Sequence, residues 1–189
     1  TPDALLIANR DEIGQLREVV EAFAAQPPPD AGAQNGTSSA NKNNAKTGIV
    51  VIGRNEGQRF IACLRSLELD KYPVVYVDSG STDGSLEQAA SMGAEVKALD
   101  MSVPFTAARA RNAGLAHLKK KWPQLQYVQF VDGDCVMVGG WLAAAEAFLD
   151  ERTDVAVVSG RLREIHPDAT IYNQLCDIEW DTPVGEAKQ

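Results

Sequence analysis

The chain has 189 residues, 44% of them hydrophobic and 23% charged, which suits a globular fold with a real core and excludes disordered and fibrous classes. A formal net charge of −8 argues against nucleic acid as a partner, because phosphate backbones call for a basic face. Anions are left to local arginines, helix N-termini or a metal intermediary.

Residues 1–26 carry a short amphipathic pattern. Ile13, Leu16, Val20 and Phe23 fall on one face behind a Thr1-Pro2-Asp3 start, which predicts a helical appendage. That helix is read either as a docking element for a protein partner or as packing on its own domain. "PPPDAGAQNGTSSANKNNAKT", residues 27–47, has almost no large apolar side chain. Such a segment buries too little surface to offset its ordering entropy and is read as a flexible linker.

From Gly48 the texture changes. "GIVVIG" (48–53) reads as a strand buried on both faces. Phe60, Ile61, Leu64 and Leu67 mark one helix face, "YPVVYVD" (72–78) a second strand and "SGSTDGS" a polar turn. A short helix over 85–92 closes on Gly93, a favourable residue just past a helix end. "AEVKAL" (94–99) predicts a third strand, 106–120 a helix and "LQYVQFVD" (125–132) a strand. Residues 140–150 predict a helix, "VAVVSG" (155–160) a strand and "TIYNQLCDIEW" (170–180) a final helix. Strand and helix alternate, so residues 48–189 are expected to form an α/β domain, a mostly parallel Rossmann-like sheet flanked by helices.

Cys63, Cys135 and Cys176 lie far apart without CxxC spacing. They read as small buried hydrophobes in a reducing compartment and give no zinc signal. No run approaches the ~18 apolar residues of a membrane span, and no leader pattern opens the chain. The expected location is cytoplasmic, with the inner face of a membrane reachable through a partner.

In open α/β sheets ligands gather beyond the carboxyl ends of strands. The chain puts its unusual residues there: Arg54-Asn55-Glu56, then Asp78 to Asp83, then Asp132-Gly133-Asp134. Two carboxylates at i and i+2 around a glycine can converge on one hard cation, Mg²⁺ or Mn²⁺, whose other positions go to water and phosphates. Without a partner they would repel each other. The alternative is an Asp-Gly turn with solvated acids. Asp78, an acid at a buried strand end, calls for a donor such as a nucleobase N–H or a ribose hydroxyl. Ser79, Ser81 and Thr82 offer hydroxyls around Gly80, and Asp83 either joins them or caps the next helix. Glu56 either reaches the same ligand from the neighbouring loop or favours a helix start. Arg109 and Arg111, in "FTAARARNAG", suit bidentate phosphate contact or surface salt bridges. Lys119-Lys120-Lys121 reads as a solvated helix terminus, and His117 and His166 carry no assigned role.

"VVIGRNEGQRFIACLRSL", "VVYVDSGSTDGS", "ARARNAG" and "QFVDGDCVM" follow one another in an order and approximate spacing that resembles family 2 glycosyltransferases of the GT-A fold, over about residues 48–181. The resemblance implies a nucleotide-diphosphate sugar as donor, UDP- or GDP-linked, and a glycan or lipid-linked acceptor, as in polysaccharide biosynthesis. It implies that Glu56 and Asp78 contact base and ribose, with Asn55, Ser79 and Asp83 in the same nucleotide-sugar-binding loops. Arg111, with Asn112 beside it, would face the nucleotide. Asp132 would touch ribose or metal, and Asp134 would ligate the Mg²⁺ or Mn²⁺ that bridges the diphosphate. The chain departs from the family in its first loop, where Pro-x-Tyr-Asn-Glu is frequent and Gly53-Arg54-Asn55-Glu56 stands here. It departs again at Ser79, where the family often has a second Asp, leaving Asp78 as the sole acid for base contact.

Such a transfer needs electrostatic stabilisation of the leaving diphosphate and a base for the acceptor hydroxyl. The resemblance places that base, an Asp, well downstream of the paired acids and favours inversion at the anomeric carbon. Asp177, Glu179 and Asp181 come too early to match, so the base is expected beyond Gln189 and the chain is expected to stop before the acceptor half. The competing reading is a truncated, non-catalytic nucleotide-sugar-binding module. A haloacid-dehalogenase-type phosphatase also begins with a pattern like "VDGDCV", but it needs a later Lys and an acidic pair. Here Lys188 is the sole later lysine and no Asp-Asp follows. A nucleotidyltransferase would show a Gly-rich basic first loop, which "GRNEGQR" matches poorly.

Overall fold

The computed structural model describes residues 42–181 and Gly185. The helix expected over 1–26 and the linker up to residue 41 lie outside the described residues. Those described divide into two compact units at Met137 and Val138.

The first unit holds β1 (Thr47–Gly53), α1 (Gln58–Ser66), β2 (Val74–Asp78), α2 (Ser85–Ser91), β3 (Glu95–Ala98), α3 (Ala107–Lys121) and β4 (Tyr127–Asp132). The four strands make one parallel sheet in the order β3-β2-β1-β4. β1 and β2 are buried along nearly their whole length, as their unbroken Val and Ile runs require of strands covered on both faces. Side chains alternate between the faces. Val50, Ile52, Val75 and Val77 meet Ala110, Leu118 and Trp122 of α3 and its end. On the opposite face Tyr76 packs against Phe60 of α1, ring centroids 4.3 Å apart.

α3 starts where Thr106 accepts the amide proton of Arg109 on its hydroxyl, at 3.1 Å, an N-cap that satisfies one orphan donor of the first turn. It ends on Lys119, Lys120 and Lys121, which complement the negative end of the helix dipole. Between these ends lies Gly114. A methyl group there would come within 2.4 Å of Val50 Cγ1 and 3.0 Å of Val77 Cγ2, so the absence of a side chain is what lets α3 sit close on the sheet.

The strand order fixes where polar groups collect. β2 and β3 lie on one side of β1, and the chain then returns to place β4 on the other. The carboxyl ends of β1 and β4 therefore flank a topological switch point, the usual ligand crevice of an open α/β sheet. Gly53 is level with Asp78, and Ile52 with Asp132, so all three predicted clusters emerge at one edge. Residues 42–46 are tied to the far edge: Gln124 donates to the Asn43 carbonyl at 3.0 Å, and the amides of Gln126 and Tyr127 donate to the Lys46 carbonyl at 2.8 and 3.0 Å.

The second unit contains α4 (Trp141–Glu151) and α5 (Ile171–Trp180). The strand expected over 155–160 is not formed. "VAVVSG" has strand-like composition, but β-propensity measures the fit of side chains to a partnered, pleated surface. No described segment pairs with this one, and Val157 is exposed. No described helix is long and apolar enough to cross a membrane.

Candidate functional site

Asp78 ends β2 with only 1% of its surface exposed. The donors its burial demands come from the protein itself. Tyr76, two residues earlier on the same strand face, donates its hydroxyl to Oδ1 at 2.9 Å. The amides of Gly80 and Ser81 both donate to Oδ2 at 2.9 Å. Gly80 makes this turn possible with φ 86°, a left-handed value that glycine adopts without steric penalty. Burial first, and the neighbouring Asp78 charge with it, push the Tyr76 phenol well above its usual range, so it stays a donor.

The β1–α1 and β2–α2 loops are laced together. Asn55, the sole non-glycine residue with positive φ among those described, at 57°, accepts the Thr82 amide on Oδ1 at 2.7 Å and donates its own amide to Ser81 Oγ at 3.0 Å. Asparagine tolerates this left-handed conformation better than most residues. Asp83 Oδ2 accepts the Gly57 amide at 3.0 Å, and Oδ1 accepts the amide and hydroxyl of Ser85 at 3.1 and 2.5 Å. These bonds, the Ser85 hydroxyl foremost, hold the Asp83 carboxyl below its ordinary value. Ser79 is buried and donates its amide to the Gly53 carbonyl at 3.1 Å.

The third cluster lies across β1. The Gly133 amide extends the β1–β4 ladder to the Ile52 carbonyl at 2.7 Å, and the Cys135 amide closes the turn on the Asp132 carbonyl at 3.0 Å. The Cys63 thiol, pushed up to about 12 chiefly by burial, faces the same carbonyl at 3.7 Å as a donor. Asp132 and Asp134 each meet an arginine rather than each other. Arg111 Nη2 donates to Asp132 Oδ1 at 2.8 Å. Arg59 Nη2 donates to Glu56 Oε2 at 2.7 Å, and its Nη1 lies 3.8 Å from Asp134 Oδ2. The stem of Glu56 passes over two glycines: methyl groups at Gly53 and Gly133 would lie 3.4 and 3.5 Å from Glu56 Cγ. Asp132 and Asp134 are both partly open to solvent, at 35% and 39%.

The family model for glycosyl transferase family 2 matches residues 48–182. The chain belongs to that family. A search of curated proteins finds no match.

Within this family 2 glycosyltransferase domain, the structure brings the sequence-predicted residues to one sheet edge in two groups. Asn55, Asp78, Ser79 and Asp83 form the laced loops. Glu56, Arg111, Asp132 and Asp134 form the charged group at the switch point. Arg109 stands apart from both: it donates to the carbonyls of Val103 and Asp100 at 2.9 and 2.6 Å, clamping the β3–α3 loop. Sequence reasoning passed over Arg59 and Tyr76. Both carried a spacing signal, Arg59 one helical turn after Glu56 and Tyr76 two strand positions before Asp78.

The described residues contain no group of three or more His, Cys, Asp and Glu side chains able to hold a metal. Two carboxylates still fit Mg²⁺ or Mn²⁺, since such ions draw most of their ligands from water and substrate phosphates. In the second unit, Asp177 is grasped by Arg163 through two bonds at 2.8 and 2.7 Å and by the Glu164 amide at 3.0 Å. With Arg163 as the main cause, its carboxyl is lowered to about 2. A carboxylate so held is a weak proton acceptor near neutral pH. Asp181 is paired with Arg161.

Proposed function

We propose that this domain binds a nucleoside-diphosphate sugar, UDP- or GDP-linked, at the switch point between β1 and β4 and transfers its sugar to an acceptor hydroxyl with inversion. The family supports glycosyl transfer. The observation that carries the finer reading is the charged group of Glu56, Arg59, Arg111, Asp132 and Asp134 gathered at the carboxyl edge of the sheet.

Each residue has a task in this reading. Asp78 shapes the floor on which the base rests, its carboxylate already committed to Tyr76, Gly80 and Ser81. Asn55 and Asp83 hold the two loops that wall the nucleotide. Asp132 is left to the ribose, with Arg111 fixing its orientation. Arg111 and Arg59 face the diphosphate as it accumulates charge on leaving, which is electrostatic assistance by preorganised groups. Asp134, with Asp132 beside it, would hold a Mg²⁺ or Mn²⁺ ion. That ion supplies Lewis-acid stabilisation of the diphosphate when bound.

Calorimetric titration of UDP and GDP, with Mn²⁺ and with chelator, tests this reading. One of the two nucleotides is expected to bind about tenfold or more tightly with Mn²⁺, the weight of about one charge pair. Asp134→Ala is expected to remove that gain. Equal affinity with and without metal, in both the native chain and the variant, overturns the metal assignment. Absence of binding by either nucleotide overturns the donor.

A further inference from the structure

The paired acids of the β4 turn are each opposed by a guanidinium. Three carboxylates (Glu56, Asp132 and Asp134) face two arginines (Arg59 and Arg111), so the group carries one negative charge in excess. The two arginines are held differently. Arg111 rises from the body of α3 and makes a 2.8 Å bond, with both partners about one-third exposed. Arg59 stands on the first turn of α1 with 66% of its side chain exposed, bonded tightly to Glu56 at 2.7 Å and loosely to Asp134 at 3.8 Å. A guanidinium has donors on two edges of a planar fork. Arg59 can therefore keep Glu56 while releasing Asp134.

We propose that Arg59 is a displaceable counter-ion for Asp134 that makes metal binding conditional on the diphosphate. Beside Asp134 its charge discourages a bare divalent ion by like-charge repulsion. When a nucleoside diphosphate arrives with the ion, Asp134 turns to the metal. Arg59, anchored on Glu56, turns its freed edge to a phosphate oxygen, a contact its planar fork suits. Arg111 stays on Asp132 throughout. The exchange swaps ion pairs, coordination and hydrogen bonds and leaves every covalent bond intact. It rests on the donor and metal reading of this site, and it adds an order: the diphosphate and the cation enter together.

Binding of Mn²⁺ alone, followed by its paramagnetic resonance signal, separates the two claims. Arg59→Gln removes the charge and leaves a shorter, polar side chain. It is expected to bind Mn²⁺ alone about five- to tenfold more tightly than the native chain, the effect of one charge near 4 Å in a largely water-screened setting. In the presence of Mn²⁺ the same variant is expected to bind UDP or GDP about tenfold more weakly, because the diphosphate loses a partner. Native Mn²⁺ affinity is expected to rise when nucleotide is added, and that coupling is expected to shrink in Arg59→Gln and to return in part with Arg59→Lys. Unchanged or weaker binding of Mn²⁺ alone by Arg59→Gln, while native nucleotide binding still depends on Mn²⁺, overturns the role of Arg59 and leaves the donor site standing. Native nucleotide binding that ignores Mn²⁺ overturns the metal reading and the counter-ion role together.

Discussion

Gly114→Ala is the sharpest test of how the sheet carries the site, because two physical effects give it opposite signs. Within an exposed helix, alanine is favoured over glycine by about 1 kcal/mol. At Gly114 the added methyl would meet Val50 Cγ1 at 2.4 Å, Val50 Cγ2 at 3.0 Å and Val77 Cγ2 at 3.0 Å. Those are stiff β-branched side chains on the two central strands, with little freedom to step aside. Overpacking of this kind costs about 1–3 kcal/mol, and a contact this short belongs at the upper end. Subtracting the propensity gain leaves a net destabilisation of about 1–2 kcal/mol, a fall of a few degrees in melting temperature. Urea unfolding followed by circular dichroism reads the shift, with Ala116→Gly on the exposed face of the same helix as the reference. That substitution is expected to lose about 1 kcal/mol through propensity alone, so two opposite exchanges both destabilise. A Gly114→Ala chain as stable as the native one, or more so, would refute the close approach of α3 to β1 and β2.

Asp78→Asn puts an amide group among the Tyr76 hydroxyl and the Gly80 and Ser81 amides. The charge-assisted bonds to the carboxylate become neutral ones and the Tyr76 hydroxyl must turn from Asp78, at a cost of about 1–3 kcal/mol, and an unchanged urea midpoint would count against the buried carboxylate. Asn55→Gly keeps the φ of 57° and loses the bond to Thr82, about 1 kcal/mol. Asn55→Ala adds the left-handed strain of a further ~1 kcal/mol, so the order of stability is native, then glycine, then alanine. Amide exchange at Thr82 is expected to quicken in both. Asp177, lowered to about 2 with Arg163 as main cause, sits below its unfolded value of about 3.9. The tie to Arg163 is therefore fully present above pH ~4 and fades as pH falls through ~2. A carboxyl titration by NMR should place the midpoint near the lower value, and Arg163→Gln should raise it.

Much of the sheet was legible because its signals are local. Unbroken apolar runs announced β1 and β2, and Thr106 and the lysines bounded α3 to within a residue of its observed limits. Gly93 was expected past α2, and it takes φ 93° there. The missing strand at 155–160 shows where local signals stop: composition proposes a strand, but a ladder partner decides it. The site divides in the same way. That Asp78, Asp132 and Asp134 gather at one sheet edge was readable from acids at strand ends. Which groups meet them was not read, although Tyr76, two strand positions before Asp78, carried a local spacing signal. Arg111 with Asp132 and Arg59 with Asp134 are assembled by the order of strands, which no single stretch of sequence records.

That order also explains why the first loop has the composition it does. β1 is central, so the loop after it borders both polar clusters. Toward β2 it extends Asn55 to Ser81 and Thr82, and Gly57 to Asp83. Toward β4 it extends Glu56 over Gly53 and Gly133, and through Arg59 to Asp134. The short Asn55 serves the side where backbones are laced, and the long charged Glu56 and Arg59 serve the side of the charged group. A change at Asn55 thus acts on the wall of the proposed nucleotide site, and a change at Glu56 on the anchor of Arg59, the counter-charge of the proposed metal ligand. The residues that make these connections are Asn55 and Glu56.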